Sequence, residues 1–351
     1  MKTNVIRWIA TALMLVMLSL LVSSPALAEV TPLPLDMLTP GYPAQANSWT
    51  YTPAAEAGAG QKILRYSSKT GEWAPTDSDA PASAYDWARY EDPTITVETS
   101  FMTVHPASTG KSGKNQAVPA AIVRIKVADP SQIRTAMSYD NYDKKDYVKA
   151  ADMAKHVNAI AAVNGDFFKY HYNVGYVVRQ GEFYRDMLNG ERDLLIIDQK
   201  GDFHTVLAAT SEDTAAYLTQ MEADGLTAIN TFTLGPVLVN DGVAVNIKET
   251  ATAKHGEFQY RYPQQRVAIC QLGELEYAIV EIYGKTDSSA GTTLQEFADF
   301  IAYIFPECKT AYNLDGGGST NVIVDGERIH KTPGARKISD ILYFASAYTG
   351  E

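Results

Sequence analysis

Apolar and polar residues alternate with a period of two along much of this chain, and turn residues interrupt the alternation at short intervals. Over residues 120–127, Val123, Ile125 and Val127 alternate with Arg124 and Lys126, the pattern of a half-buried strand. Paired runs follow. Residues 176–179 turn at Gln180-Gly181 into 182–184, and residues 194–197 turn near Gly201 into 203–206. Residues 237–239 turn at Asn240-Asp241-Gly242 into 243–245, and residues 321–324 turn at Asp325-Gly326 into 327–329. Asp-Gly between apolar runs predicts a hairpin, because both turn residues tolerate positive φ. Three stretches switch to a helical period. Tyr147, Ala151, Ala154 and Val157 share one face around residues 145–158, and Ser211 caps a second helix running to about Ala223. In the third, Leu294, Phe297, Ala298, Ile301 and Phe305 form an apolar stripe behind a Thr293/Glu296 capping box, and that stripe is core. The sum is an α+β fold, a strand-dominated mixed sheet with hairpins and about three packed helices.

The first residues break this pattern. Lys2 and Arg7 precede an apolar run over residues 8–22 broken only by Thr11 and Ser19, and Pro25 and Ala26-Leu27-Ala28 follow. Positive charge, apolar run and small-residue exit in that order predict a secretory signal peptide over residues 1–28. The mature protein is then expected outside the cell or in the cell envelope, and no later segment is long and apolar enough to span a bilayer. Residues 29–92 are rich in Pro, Ala, Ser, Thr and Gly and are expected to form an arm or linker with a few strands. Tyr51, Trp73, Tyr85 and Trp87 argue against its complete disorder. Residues 93–351 are expected to form the main domain.

A formal net charge of −11 disfavours nucleic acid as a partner, because its phosphates would be repelled. The 21 Tyr and 4 Trp supply surfaces for stacking on sugar rings. Two cysteines, Cys270 and Cys308, make neither a disulfide scaffold nor a zinc site. One bridge and two buried thiols both remain compatible with them, and no cofactor or metal site is expected.

Two strand ends carry the candidate chemistry. Asp315-Gly316-Gly317-Gly318-Ser319-Thr320 follows an apolar strand. Three glycines cost backbone entropy and pack nothing, so a chain keeps them where φ is positive or a ligand approaches the main chain. Their N–H groups can form an anion-binding nest, with Asp315 beside the bound group and Ser319 and Thr320 donating hydroxyls. The same residues also suit a turn in which Asp315 caps the backbone. Upstream, the apolar residues 159–163 deliver Asn164, Gly165 and Asp166, which read equally as converging polar groups or as an Asn-Gly turn. Arg266, before the apolar run 267–269, is a fork able to hold a phosphate in two hydrogen bonds, although such residues usually end a strand in solvent. Lys285, His330, Lys331, Arg336 and Lys337 are further basic candidates.

In this order, the chain resembles the phosphodiester glycosidase family over residues 120 to 345. The elements are Asn164-Gly165-Asp166-Phe167-Phe168, Val174-Gly175-Tyr176-Val177-Val178 with Gly181, the run from Gly235 to Gly242, the Arg266 strand and the block from Asn313 to Thr320. Where the family usually has Asp-Gly-Arg, this chain reads Tyr283-Gly284-Lys285, with Asp287 two residues on; Cys270 stands where Gly is usual. The resemblance implies hydrolysis of a sugar-1-phosphodiester at the C1–O bond, releasing a free, N-acetylglucosamine-like sugar. With that reaction, Asp315 and Asp166 are expected as the carboxylates near the sugar, Arg266 and the Gly316, Gly317 and Gly318 amides would face the phosphate, Asn164, Ser319 and Thr320 would position the substrate, and Gly165 and Lys285 are further substrate-binding candidates. A non-catalytic glycan-binding module and a metal-dependent phosphodiesterase are the alternatives, and an Asp-rich site can also take Ca²⁺.

Overall fold

The computed structural model describes residues 27, 28, 30–81, 83, 85–107, 115–169, 174–255, 260–284, 289–330 and 336–350. The expected signal peptide therefore lies outside the described residues apart from residues 27 and 28, as do Lys285, Asp287 and Lys331. Among the described residues there are four sheets and four α-helices, an α+β fold dominated by strands.

An eleven-stranded sheet takes Ile95–His105, Val118–Val127, Glu276–Ile282, Arg266–Gly273, Thr310–Asn313 and Val237–Asn240 as antiparallel neighbours in that spatial order. A five-stranded sheet orders Glu327–Arg328, Val322–Val324, Ala159–Asn164, Asp340–Ala345 and Ile133–Met137. Val123, Ile125, Val267, Ile269 and Ile279 of the first sheet pack against Ile160, Val163, Leu342 and Phe344 of the second. The outer face of the large sheet buries Ile122, Ala268, Cys270 and Val280 under helix Leu294–Ile304 through Phe297, Phe300 and Ile301. Helix Ala150–His156 covers the far side of the five-stranded sheet through Met153 and Ala154. Helix, sheet, sheet and helix thus form four layers. Central strands buried on both faces favour apolar residues at successive positions, which is why residues 267–270 and 277–280 within them are unbroken apolar runs.

Local signals set the hairpins and caps. The turn pairs Gln180/Gly181, Asp241/Gly242 and Asp325/Gly326 have φ of 50°/79°, 46°/76° and 52°/67°, the positive values that a two-residue hairpin turn demands. Thr293 Oγ1 accepts from Glu296 N at 3.2 Å, and Glu296 Oε2 accepts from Thr293 N at 2.7 Å, closing the capping box. Helix Ser211–Ala223 is capped by Thr210, whose side chain accepts from Asp213 N, rather than by Ser211, which already lies inside the helix. The helix expected over 145–158 is confined to Ala150–His156. Val148 is bridged to Ile338, Lys149 is extended, and Asn158 turns to φ 53°. A short fourth helix, Ala251–Lys254, was without a periodic signal.

The Pro/Ala-rich residues lie on this body. Trp49–Thr52, Lys62–Ser67, Glu72–Asp79 and Trp87–Asp92 all join the eleven-stranded sheet, and Trp87–Asp92 pairs directly with Ile95–His105. Trp73 is buried against helix Leu294–Ile304, its indole N–H donating to the Glu296 carbonyl at 2.8 Å. Cys270 and Cys308 are free, buried thiols. No helix of the described residues is long and apolar enough to cross a membrane.

Candidate active site

Strand Ala159–Asn164 runs through the middle of the five-stranded sheet and ends in Gly165-Asp166, whereas strand Thr310–Asn313 belongs to the large sheet. The loop after Asn313 crosses between the sheets to reach Val322–Val324, and so brings Asp315 beside Asn164. Asn164 ties the two strand ends together. Its Nδ2 donates to the Asp315 carbonyl at 2.8 Å, and its Oδ1 accepts from Asn321 N at 2.9 Å.

The two carboxylates sit in different surroundings. Burial pushes the Asp315 carboxyl up to about 6; a hydrogen bond from Ser319 and the charge of Arg336 pull it back, Asp166 pushes it further up, and Arg192 again opposes. Asp166 is buried and its oxygens are engaged. Oδ1 accepts from Arg179 Nη2 at 3.2 Å and from Phe168 N at 3.3 Å, and Oδ2 accepts from Thr233 N at 2.8 Å. These three contacts hold the side chain in one orientation. Asp166 also lines a recess with Phe167, Gly175, Arg192 and Thr233.

Structural demands account for the glycine-rich turn in part. A Cβ on Gly316 would come within 2.8 Å of the Gln265 carbonyl, and Gly317 has φ +60°. The Gly317 amide donates to that same carbonyl at 2.9 Å, so it faces the neighbouring strand. Gly318 lies under Arg336, whose main-chain N donates to the Gly318 carbonyl at 3.0 Å. Ser319 and Thr320 are buried, and the Thr320 carbonyl accepts from Arg328 Nη2 at 2.6 Å. Arg266 stands behind the turn, 1% exposed, with Nη2 and Nε donating to the carbonyls of Tyr262 (2.9 Å) and Thr292 (3.3 Å). Burial lowers its guanidinium to about 9, with Glu296 opposing.

Three residues near the carboxylates had no sequence signal strong enough to single them out. Arg192 lies 5.4 Å over the Phe167 ring. Its sequence neighbour Asp193 is anchored in turn, its carboxylate accepting from the main-chain N of Ala208 (2.9 Å) and Val237 (3.0 Å). Arg179 bridges Asp166 and Asp340. In the sequence, Arg179 and Asp340 each flank an apolar strand, where a charge ordinarily faces solvent; a deep burial of both is the only feature that distinguishes them. Among the described residues no group of three or more His, Cys, Asp or Glu is arranged to hold a metal ion.

The phosphodiester glycosidase family model matches residues 157–345, more than half of the chain. Among solved structures, the zebrafish N-acetylglucosamine-1-phosphodiester alpha-N-acetylglucosaminidase catalytic domain, auto-inhibited by its pro-peptide, is similar with a TM-score of 0.54 at 19% identity. The likeness covers 71% of this chain and 83% of that one. A hypothetical protein from Synechocystis is similar with a TM-score of 0.50 at 15% identity, over 86% of this chain and 74% of that one. At such identities the likeness is one of fold. No curated protein matches the sequence.

Proposed function

Since the chain belongs to the phosphodiester glycosidase family, we propose that it is a secreted hydrolase that cleaves a sugar-1-phosphodiester between C1 and the phosphate oxygen, with Asp315 and Asp166 flanking the sugar. The observation that carries this reading is a half-buried carboxyl raised to about 6, within electrostatic reach of a second carboxylate and of two arginines. Glycosyl transfer builds positive charge at C1 while negative charge grows on the departing phosphate, and this set of groups offers both signs of complement.

In the reaction we infer, the C1–O bond breaks with its electron pair leaving on the phosphomonoester, and a water oxygen bonds to C1. Asp315, ionised above about pH 6, takes the proton from that water. Asp166, pinned by three hydrogen bonds, stabilises the oxocarbenium-like centre. Arg192 and Arg336, the two cations acting on Asp315, are better disposed to the phosphate than Arg266, whose donors reach main-chain carbonyls. Asn164 and Ser319 hold the Asp315 loop in place. Phosphate is a weak base, so cations can stand in for an acid at the leaving group.

The test is hydrolysis of an N-acetylglucosamine-1-phosphate diester in ¹⁸O-water, with both products weighed by mass spectrometry. The label is expected in the sugar. Label in the phosphate would favour a phosphodiesterase cutting P–O, and binding without turnover by the wild-type protein would favour a glycan-binding module; either result ends this reading.

A further inference from the structure

Asp340 opens strand Asp340–Ala345 and has no exposed surface. Its carbonyl accepts from Gly165 N at 3.0 Å, which brings its carboxylate against Gly165. A Cβ at Gly165 would lie 2.5 Å from both Asp340 carboxylate oxygens. Gly165 does not have a left-handed φ, so the approach of a carboxylate, and not backbone conformation, demands the glycine.

Arg179 joins this carboxylate to the site. Its Nε and Nη2 donate to Asp340 Oδ2 at 3.0 and 2.7 Å, and Nη2 reaches Asp166 Oδ1 at 3.2 Å. Nη1 donates to the carbonyls of Val178 and Thr231. The guanidinium also lies 4.5 Å over the Phe232 ring and 5.2 Å over the Phe168 ring. A planar fork gripped on its edges and covered by rings cannot swing as a surface arginine does. The shorter contacts are to Asp340, so Asp340 sets the plane of the fork and Asp166 takes the edge that remains.

We propose that Asp340, acting through Arg179, is a positioning residue that holds the Asp166 carboxylate in its reactive orientation, and that residue 165 is glycine in order to admit Asp340. The proposal rests on the hydrolase reading above for its kinetic consequence, though not for its geometry. Asn164-Gly165-Asp166 is then a strand end shaped from behind by residue 340. Burial pushes the Asp340 carboxyl up to about 7, with Arg179 opposing and Asp166 adding to the rise. Two acidic side chains share one guanidinium, and the geometry of that sharing fixes where Asp166 points.

The experiment compares wild type, Asp340→Asn, Arg179→Lys and Gly165→Ala in turnover and in thermal unfolding. Asp340→Asn keeps the shape and replaces the ionisable carboxyl with a neutral amide. Its kcat is expected to fall by about 10–100-fold with KM changed by less than about threefold, the signature of a misplaced catalytic group. Arg179→Lys keeps the charge without the fork and should show a similar loss. A wild-type kcat per folded molecule in Asp340→Asn, with only a lowered unfolding midpoint, overturns the proposal. If wild type itself turns over no sugar phosphodiester, the functional reading fails and the geometry is read from unfolding alone. Asp340→Asn and Asp166→Asn share Arg179, so their effects on stability must then combine non-additively; additive effects overturn the proposal in that case too.

Discussion

Replacing Asp315 by Asn separates the cost of this carboxylate to folding from its use in turnover. Raising a carboxyl from its ordinary 3.8 to about 6 means that the folded protein disfavours the ionised form by roughly 3 kcal/mol, at 1.36 kcal/mol per pH unit. The folded value lies above the unfolded one. The folded state therefore binds the proton more tightly, and its stability contribution is complete below about pH 4 and lost as pH rises through about 6. Asn cannot ionise, yet its side-chain oxygen can still accept from Ser319. Asp315→Asn should therefore melt several degrees above wild type at pH 7.5, at the 2–4 °C per kcal/mol typical of large domains. That gap should close as the buffer is taken to pH 4, and turnover should be lost throughout. Thermal unfolding over a pH series, paired with the sugar-release assay, measures both. A midpoint gap that is absent at neutral pH, or that does not change with pH, refutes the claim that burial strains this carboxylate. Retained turnover would remove it from catalysis.

Three other outcomes follow from the same geometry. In wild type, kcat/KM should rise with pH through about 6 as Asp315 ionises, and Arg336→Ala, which removes a charge that favours the ionised form, should move that limb to higher pH; an unmoved limb places Arg336 outside the site's electrostatics. Turnover should persist in EDTA, because each proposed step runs through this chain's own side chains; loss on chelation and return on adding a divalent cation would favour metal-assisted P–O cleavage. Lys169→Met removes a buried ammonium that donates to the carbonyls of Ser138, Asn141 and Lys144 and to the Ser138 hydroxyl. Leaving those acceptors bare should cost on the order of 1–3 kcal/mol in urea unfolding, and an unchanged midpoint would mean that the loop over residues 138–144 is held by something else.

Much of the fold was legible because its signals are local. A hairpin turn needs positive φ at adjacent residues, so Asp241-Gly242 and Asp325-Gly326 announce it whatever surrounds them. A capping box needs only Thr293 and Glu296 three apart. The same local logic marked Asp166 and Asp315 as polar groups set at the ends of apolar strands. Helix limits were less legible, since it is the bridge between Val148 and Ile338, contacts 190 residues apart in the chain, that stops the first helix short.

What the sequence determined by itself, then, were the elements and the two loops that carry acidic residues, because period, caps and turn chemistry act within a few residues. Only the tertiary structure decided what those loops can do. The raised pKa of Asp315 arises from its partial burial at a crossing between two sheets, and the contact that joins its loop to Asn164 spans 151 positions. Arg179, Arg192 and Asp340 look like ordinary charges until packing removes them from water, because a charge at a strand end has no consequence of its own until its solvent is replaced by a partner.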